Sequence, residues 1–137
     1  MKLPDPRNTN ILIYINGVLL PREEAKISVF DSAVQGGDAV WEGLRVYKGR
    51  IAAFTNHLIR LQNSAKTLAF KSIPSSDDIR KAIFLTLEAN GMWDETHIRL
   101  TLTRGEKITS GMNPKLNQLG CTLIVLAEWK PPVYSNS

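Results

Sequence analysis

The stretch QGGDAVWEGLRVYKGR, Gln35–Arg50, decides how the rest of the chain is read. Glycines, charges and a tryptophan alternate here at a density that core-building sequence rarely uses. Gly36 and Gly37 allow the backbone to turn with positive φ or to approach another group closely. A brief helix is expected around Asp38 to Gly43. Leu44 to Phe54 reads as a β-hairpin turning at Lys48-Gly49. If the first part is instead extended, Trp41, Gly43 and Arg45 fall on one side of a strand. Taken alone, the segment is also readable as a loop that tucks its tryptophan into the core.

Upstream, ILIYINGVLL is a second hairpin, with apolar strand residues flanking Asn16-Gly17, a pair that tolerates the positive φ of a tight turn. Before it, residues 1–10 are polar, carry two prolines and are expected as a loose lead-in. Downstream come two helices. In FTNHLIRLQNSAKTLAF, Thr55 is the expected N-cap, Phe54 is expected to staple onto Ile59, and Phe54, Leu58, Leu61, Ala65 and Leu68 share a face. The second helix starts at Ser75 or Ser76 and stops at Gly91. It carries Asp77 and Asp78 in its first turn and an inner stripe of Ile79, Ala82, Ile83 and Leu87. HIRLTLTRG then alternates strictly, with Ile98, Leu100 and Leu102 opposite His97, Arg99, Thr101 and Thr103. A last strand runs from Cys121 to Glu128, and Pro131-Pro132 ends it. Strands, then helices, then strands, without βαβ alternation, predict an α+β domain with an antiparallel sheet and two main helices packed on it.

The 137 residues suit one domain with its own core. Seventeen Lys and Arg against thirteen Asp and Glu leave a net charge of +4, with no run of like charges and no interleaving of aromatic and basic residues. Nucleic acid is therefore not an expected partner. A single cysteine, Cys121, excludes an internal disulfide and a cysteine metal cluster, and two histidines argue against a histidine metal site. No stretch approaches the roughly 18 apolar residues of a membrane span, and the start has no signal-like apolar core, so a cytoplasmic location is the expectation.

Chemistry can sit in three places. The polar face of HIRLTLTRG offers donors and hardly any acceptors, which suits a carboxylate or phosphate as well as plain solvent. Arg60 falls at the border of the first helix's apolar stripe, beside His57 and Ser64. It reads either as an arginine laid over the core edge or as a guanidinium facing a phosphate. The third place is the opening stretch itself.

Together these residues carry a resemblance. INGVLLPREEAKISVFDSAVQGGDAVWEGLRVYKGRI followed by HLIRLQNSAKTLAF resembles the N-terminal small domain of class IV (fold type IV) pyridoxal-phosphate aminotransferases, over roughly residues 11 to 130. That group includes branched-chain and D-amino acid aminotransferases and aminodeoxychorismate lyases. The resemblance implies pyridoxal 5'-phosphate as cofactor and an amino acid and 2-oxo acid, branched-chain-like, as small-molecule partners. It places Arg60 on the cofactor phosphate. Trp41 becomes an aromatic wall of the substrate pocket, where phenylalanine is commoner. Gly43 and Arg45 fall on its pocket-side Gly and Arg, and Arg99 on the substrate-carboxylate arginine. His97 and Gly36 stand where the branched-chain type often has tyrosines. Thr109 and Gly111 replace the Arg-x-His pair of D-amino acid enzymes, while GMNP is similar to the branched-chain loop.

In that family a second domain brings the cofactor-binding lysine, which none of the lysines here matches. No residue of this chain is therefore expected to be catalytic. Residues 131–137 are expected as a truncated interdomain connector, and the 137 residues as a small domain that is inactive alone. A homodimer or a missing C-terminal domain is the expected partner. The alternatives are lyase chemistry on the same fold and a non-catalytic binding or dimerising module.

Overall fold

The computed structural model describes residues 2–131. Eight principal elements follow in order: β1 (Leu12–Ile15), β2 (Val18–Pro21), β3 (Ala39–Tyr47), β4 (Arg50–Ile51), α1 (Phe54–Thr67), α2 (Ser76–Asn90), β5 (Thr96–Thr103) and β6 (Thr122–Trp129). The strands form one sheet in the order β2-β1-β6-β5-β3-β4, with every pair antiparallel. Both helices lie on one face, which is the α+β arrangement expected.

Strand alternation explains the two faces. Leu44, Val46, Ile98, Leu100, Leu102, Leu123, Val125 and Ala127 point inward and are buried. They meet Leu58, Leu61 and Ala65 of α1 and Ile79, Ala82, Ile83 and Leu87 of α2 in a single core. The α2 boundaries are as expected. The Ser75 side chain accepts from the Asp78 amide, Asp77 and Asp78 occupy the first turn, and Gly91 closes the helix in the left-handed region at φ +64°. The first hairpin turns at Asn16 and Gly17, with φ of +46° and +90°.

Four local expectations are corrected. No helix forms from Asp38 to Gly43; β3 begins at Ala39 and pairs residue by residue with β5 as far as Val46. The period of two in Val40, Glu42, Leu44 and Val46 overrides any helical tendency, and a glycine at 43 weakens a helix further. Helix α1 starts at Phe54, two residues earlier than a Thr55 cap allows, after Ala53 in the left-handed region with no side-chain cap. Because β4 ends at Ile51, only two residues are left for the connection. Ile59 is exposed, so no staple forms; Phe54 meets Phe84 edge-on at 5.7 Å and lies under the Arg80 guanidinium. Leu68 falls beyond the helix and is exposed.

The lead-in is also more ordered than its composition suggests. Pro6–Asn10 form a 3-10 turn, and the Asn8 side chain both accepts from the Trp129 amide (2.7 Å) and donates to its carbonyl (3.0 Å). A backbone-like pair from a side chain extends the β6 edge and anchors the segment. Of the expected connector, only Pro131 is described.

Candidate functional site

Register places the candidate residues. Trp41 lies opposite Thr101, Gly43 opposite Arg99 and Arg45 opposite His97, all on the sheet face that the helices leave uncovered. The Arg99 guanidinium carbon sits 4.0 Å from the centroid of the Trp41 ring, a cation–π stack on a tryptophan that is 52% exposed. A Cβ on Gly43 would stand 3.2 Å from His97 Nε2, closer than ordinary contact, and 3.5 Å from Trp41 Cζ3, at ordinary contact, so a side chain there would press on His97. At the far end of the face, Arg45 Nη2 donates to the Lys130 carbonyl.

This face is predominantly cationic. Arg45 and Arg99 sit on it, and β6 contributes Ile124, Leu126 and Glu128 opposite Thr101, Arg99 and His97. Burial pushes the His97 imidazole below its ordinary value. Lys130 and Arg45 push the same way, and Glu128 opposes them only in part. His97 is therefore a neutral ring at pH 7, able to donate one hydrogen bond and accept one. Cationic donors beside an apolar ring can bind a carboxylate and its neighbouring hydrocarbon together.

Arg60 is not on this face. Its neighbour across the sheet is Glu42, 6% exposed and turned toward α1. Arg60 Nε donates to both carboxylate oxygens, at 2.9 and 3.1 Å, and Nη2 donates to Oε1 at 2.6 Å; His57 Nδ1 lies 2.7 Å from the same oxygen. Burial alone would raise the Glu42 carboxyl, but the hydrogen bonds from Arg60 and His57 outweigh it and hold the group below its ordinary range. The Arg60 side chain remains 68% exposed. Its Nε–Nη2 edge is taken, and among the described residues Nη1 has no acceptor, which leaves a donor edge that suits a phosphate oxygen.

The structure thus assembles Trp41, Gly43, Arg45, His97 and Arg99, and sets Arg60 behind the same strand. β4 pairs only with Val46 and Tyr47, so among the described residues the outer edge of β3 around Trp41 and Glu42 has no strand beside it. Sequence reading placed His57 beside Arg60 but gave no role to it or to Glu42. The signal was present: His57 and Arg60 are three apart on one helix face, and Glu42 is the acid on the inward phase of β3.

The loops closing the upper end of this face are fixed by buried polar groups. Lys107, 4% exposed, donates from Nζ to the carbonyls of Gln35 and Gly111, joining the Gly36-Gly37 segment to the loop that carries Met112. Asp31 accepts from the Thr122 hydroxyl at 2.7 Å.

A six-stranded antiparallel sheet with two helices packed on it is the small-domain architecture of fold type IV aminotransferases. The chain belongs to the amino-transferase class IV family, whose pattern matches residues 39–136. It is 61% identical over 134 residues to branched-chain-amino-acid aminotransferase-like protein 2 of Arabidopsis thaliana, covering 98% of this chain and 24% of that protein. A branched-chain amino acid aminotransferase solved with pyridoxamine 5'-phosphate superposes with a TM-score of 0.78 at 32% identity, over 91% of this chain and 41% of that one. The Escherichia coli branched-chain enzyme superposes with a TM-score of 0.76 at 27% identity, over 87% and 40% respectively. The chain therefore spans about a quarter of the plant relative and about two-fifths of the solved enzymes. No helix among the described residues is long and apolar enough to cross a membrane.

Proposed function

We propose that this chain forms the substrate-side part of a pyridoxal-phosphate-dependent aminotransferase site acting on a branched-chain-like amino acid and a 2-oxo acid. The observation that carries the reading is Arg99 stacked on Trp41 beside the space left by Gly43. Arg99, helped by Arg45, binds the substrate carboxylate. Trp41 is the apolar wall that receives the side chain and keeps water from it, and neutral His97 hydrogen-bonds at the rim. Arg60 offers Nη1 to the cofactor phosphate while Glu42 holds its other edge. A ligand laid over the open edge of β3 meets both groups. The bound cofactor supplies the electron sink for the pair left on Cα. The residues here bind and orient, and none of their lysines matches the lysine that the chemistry needs. We propose that the 137 residues alone are catalytically silent.

The branched-chain assignment is supported by the plant relative's name, the apolar wall and the absence of Arg-x-His at Thr109 and Gly111. We further propose that the uncovered face, with Trp41 and Val18 half exposed, is covered by a second copy or by another domain. Sedimentation at several concentrations tests self-association of the chain.

The function is tested with the full-length product of the encoding gene, loaded with pyridoxal 5'-phosphate and given leucine and 2-oxoglutarate. Glutamate formation with a reversible change in the cofactor absorbance is expected. Release of pyruvate from aminodeoxychorismate, without transamination, would replace this reading with the lyase.

A further inference from the structure

The structure holds a cationic cleft away from the tryptophan–arginine face. It encloses about 460 Å3 between the turn after α1, the end of β5 and the loop before β6, and is lined by Lys71, Ser72, Arg104, Lys115, Asn117 and Gly120, among others. No carboxylate lines it. Among the described residues, neither Lys71 nor Lys115 has a carboxylate within ion-pair distance. Two ammonium groups therefore face one concave space without internal neutralisation.

The floor of this cavity is rigid. Arg104 is fixed by Asp38 Oδ2 at 3.0 Å, by the Leu68 carbonyl at 2.8 Å and by stacking over Phe70. Asn117 Nδ2 donates to Ser32 Oγ (2.7 Å) and to the Gly105 carbonyl (3.0 Å), tying the loop to the end of β5. The two backbones touch there, since a Cβ on Gly105 would stand 1.7 Å from the Gly120 oxygen. Asn117 Oδ1 is buried with no partner among the described residues.

We propose that this cavity is a binding site for a small multivalent oxyanion, a phosphate- or polycarboxylate-bearing metabolite. Lys71 and Lys115 hold its charge, and Ser72 and Gln118 supply polar contacts. The site uses none of the residues assigned to aminotransfer and stands or falls independently of that reading. Its charge pattern is also unlike the tryptophan–arginine face, because no aromatic wall lines it.

Amide NMR of the 15N-labelled chain at constant ionic strength tests the proposal, with pyrophosphate and malate as probes and chloride as control. Saturating shifts of the Ser72 and Gly120 amides and of the Asn117 side-chain amide are expected with at least one probe. The tighter probe identifies the group recognised. Lys71→Glu combined with Lys115→Glu is expected to weaken binding at least about tenfold. Both lysines are exposed, so the rest of the spectrum should stay unchanged. Shifts that rise linearly, match those with chloride or persist in the double variant would overturn the site, as would no shift with either probe.

Discussion

Trp41 and Glu42 are consecutive residues that look out of opposite faces of one sheet. The first is half exposed beneath Arg99; the second is buried against His57 and Arg60. A single strand thus presents the tryptophan–arginine stack on one face and the Glu42–Arg60 pair on the other.

Trp41 lies outside the core, so its replacement should separate binding from folding. Trp41→Ala is expected to lower kcat/KM for leucine in the full-length protein by about 10- to 100-fold, with a smaller loss for alanine. Its effect on stability should stay below about 1 kcal/mol. Comparing the two substrates and a urea titration checks both. An equal loss for both amino acids would mean that the ring does not contact the side chain.

Glu42 couples stability to acid. Its folded pKa lies below the unfolded value of about 4.3, so its contribution is fully present above that value and is lost as pH falls through the folded pKa. Glu42→Gln should cost about 1 kcal/mol at pH 7, roughly 4 °C in Tm, and the gap between variant and wild type should close as the solution is acidified. Thermal scans from pH 7 to pH 3 read this directly. A gap that widens in acid would contradict the pairing.

His97 behaves in the opposite environment. Its folded pKa is depressed from about 6.5, so the unfolded chain binds the proton more readily, and stability declines as pH falls below that value. An NMR titration should find the His97 midpoint lower than that of a free imidazole. Lys130→Ala should move it upward. A midpoint above 7 would remove the neutral donor from the site.

Gly105 is fixed by geometry rather than by chemistry. At φ +101°, with the Gly120 oxygen where a Cβ would go, Gly105→Ala should destabilise the chain by about 3 kcal/mol or more. A denaturation midpoint within error of wild type would show that the two backbones separate easily.

Much of this fold is written in local pattern. The strict alternation of HIRLTLTRG became β5 with its dry and polar faces, and Ser75 and Gly91 bound α2 as their capping chemistry requires. Asp38–Gly43 misled because glycine and acid next to tryptophan carry no strong local preference, and the strand there exists through its pairing with β5. Trp41, Gly43, Arg45, His97 and Arg99 are singled out through the family resemblance, and the register of β3 on β5 that brings them together is visible only in the structure. Placing Arg60 needed its partner Glu42, and a contact across eighteen residues leaves no periodic trace.

The most direct test is steady-state transamination by the full-length, cofactor-loaded protein carrying Arg99→Ala. Stacked on Trp41, Arg99 is the group assigned to the substrate carboxylate. Leucine kcat/KM should fall by about 100-fold or more, chiefly through KM, while the cofactor absorbance band is retained. Unchanged kcat/KM for leucine would contradict the assignment of this face to the substrate.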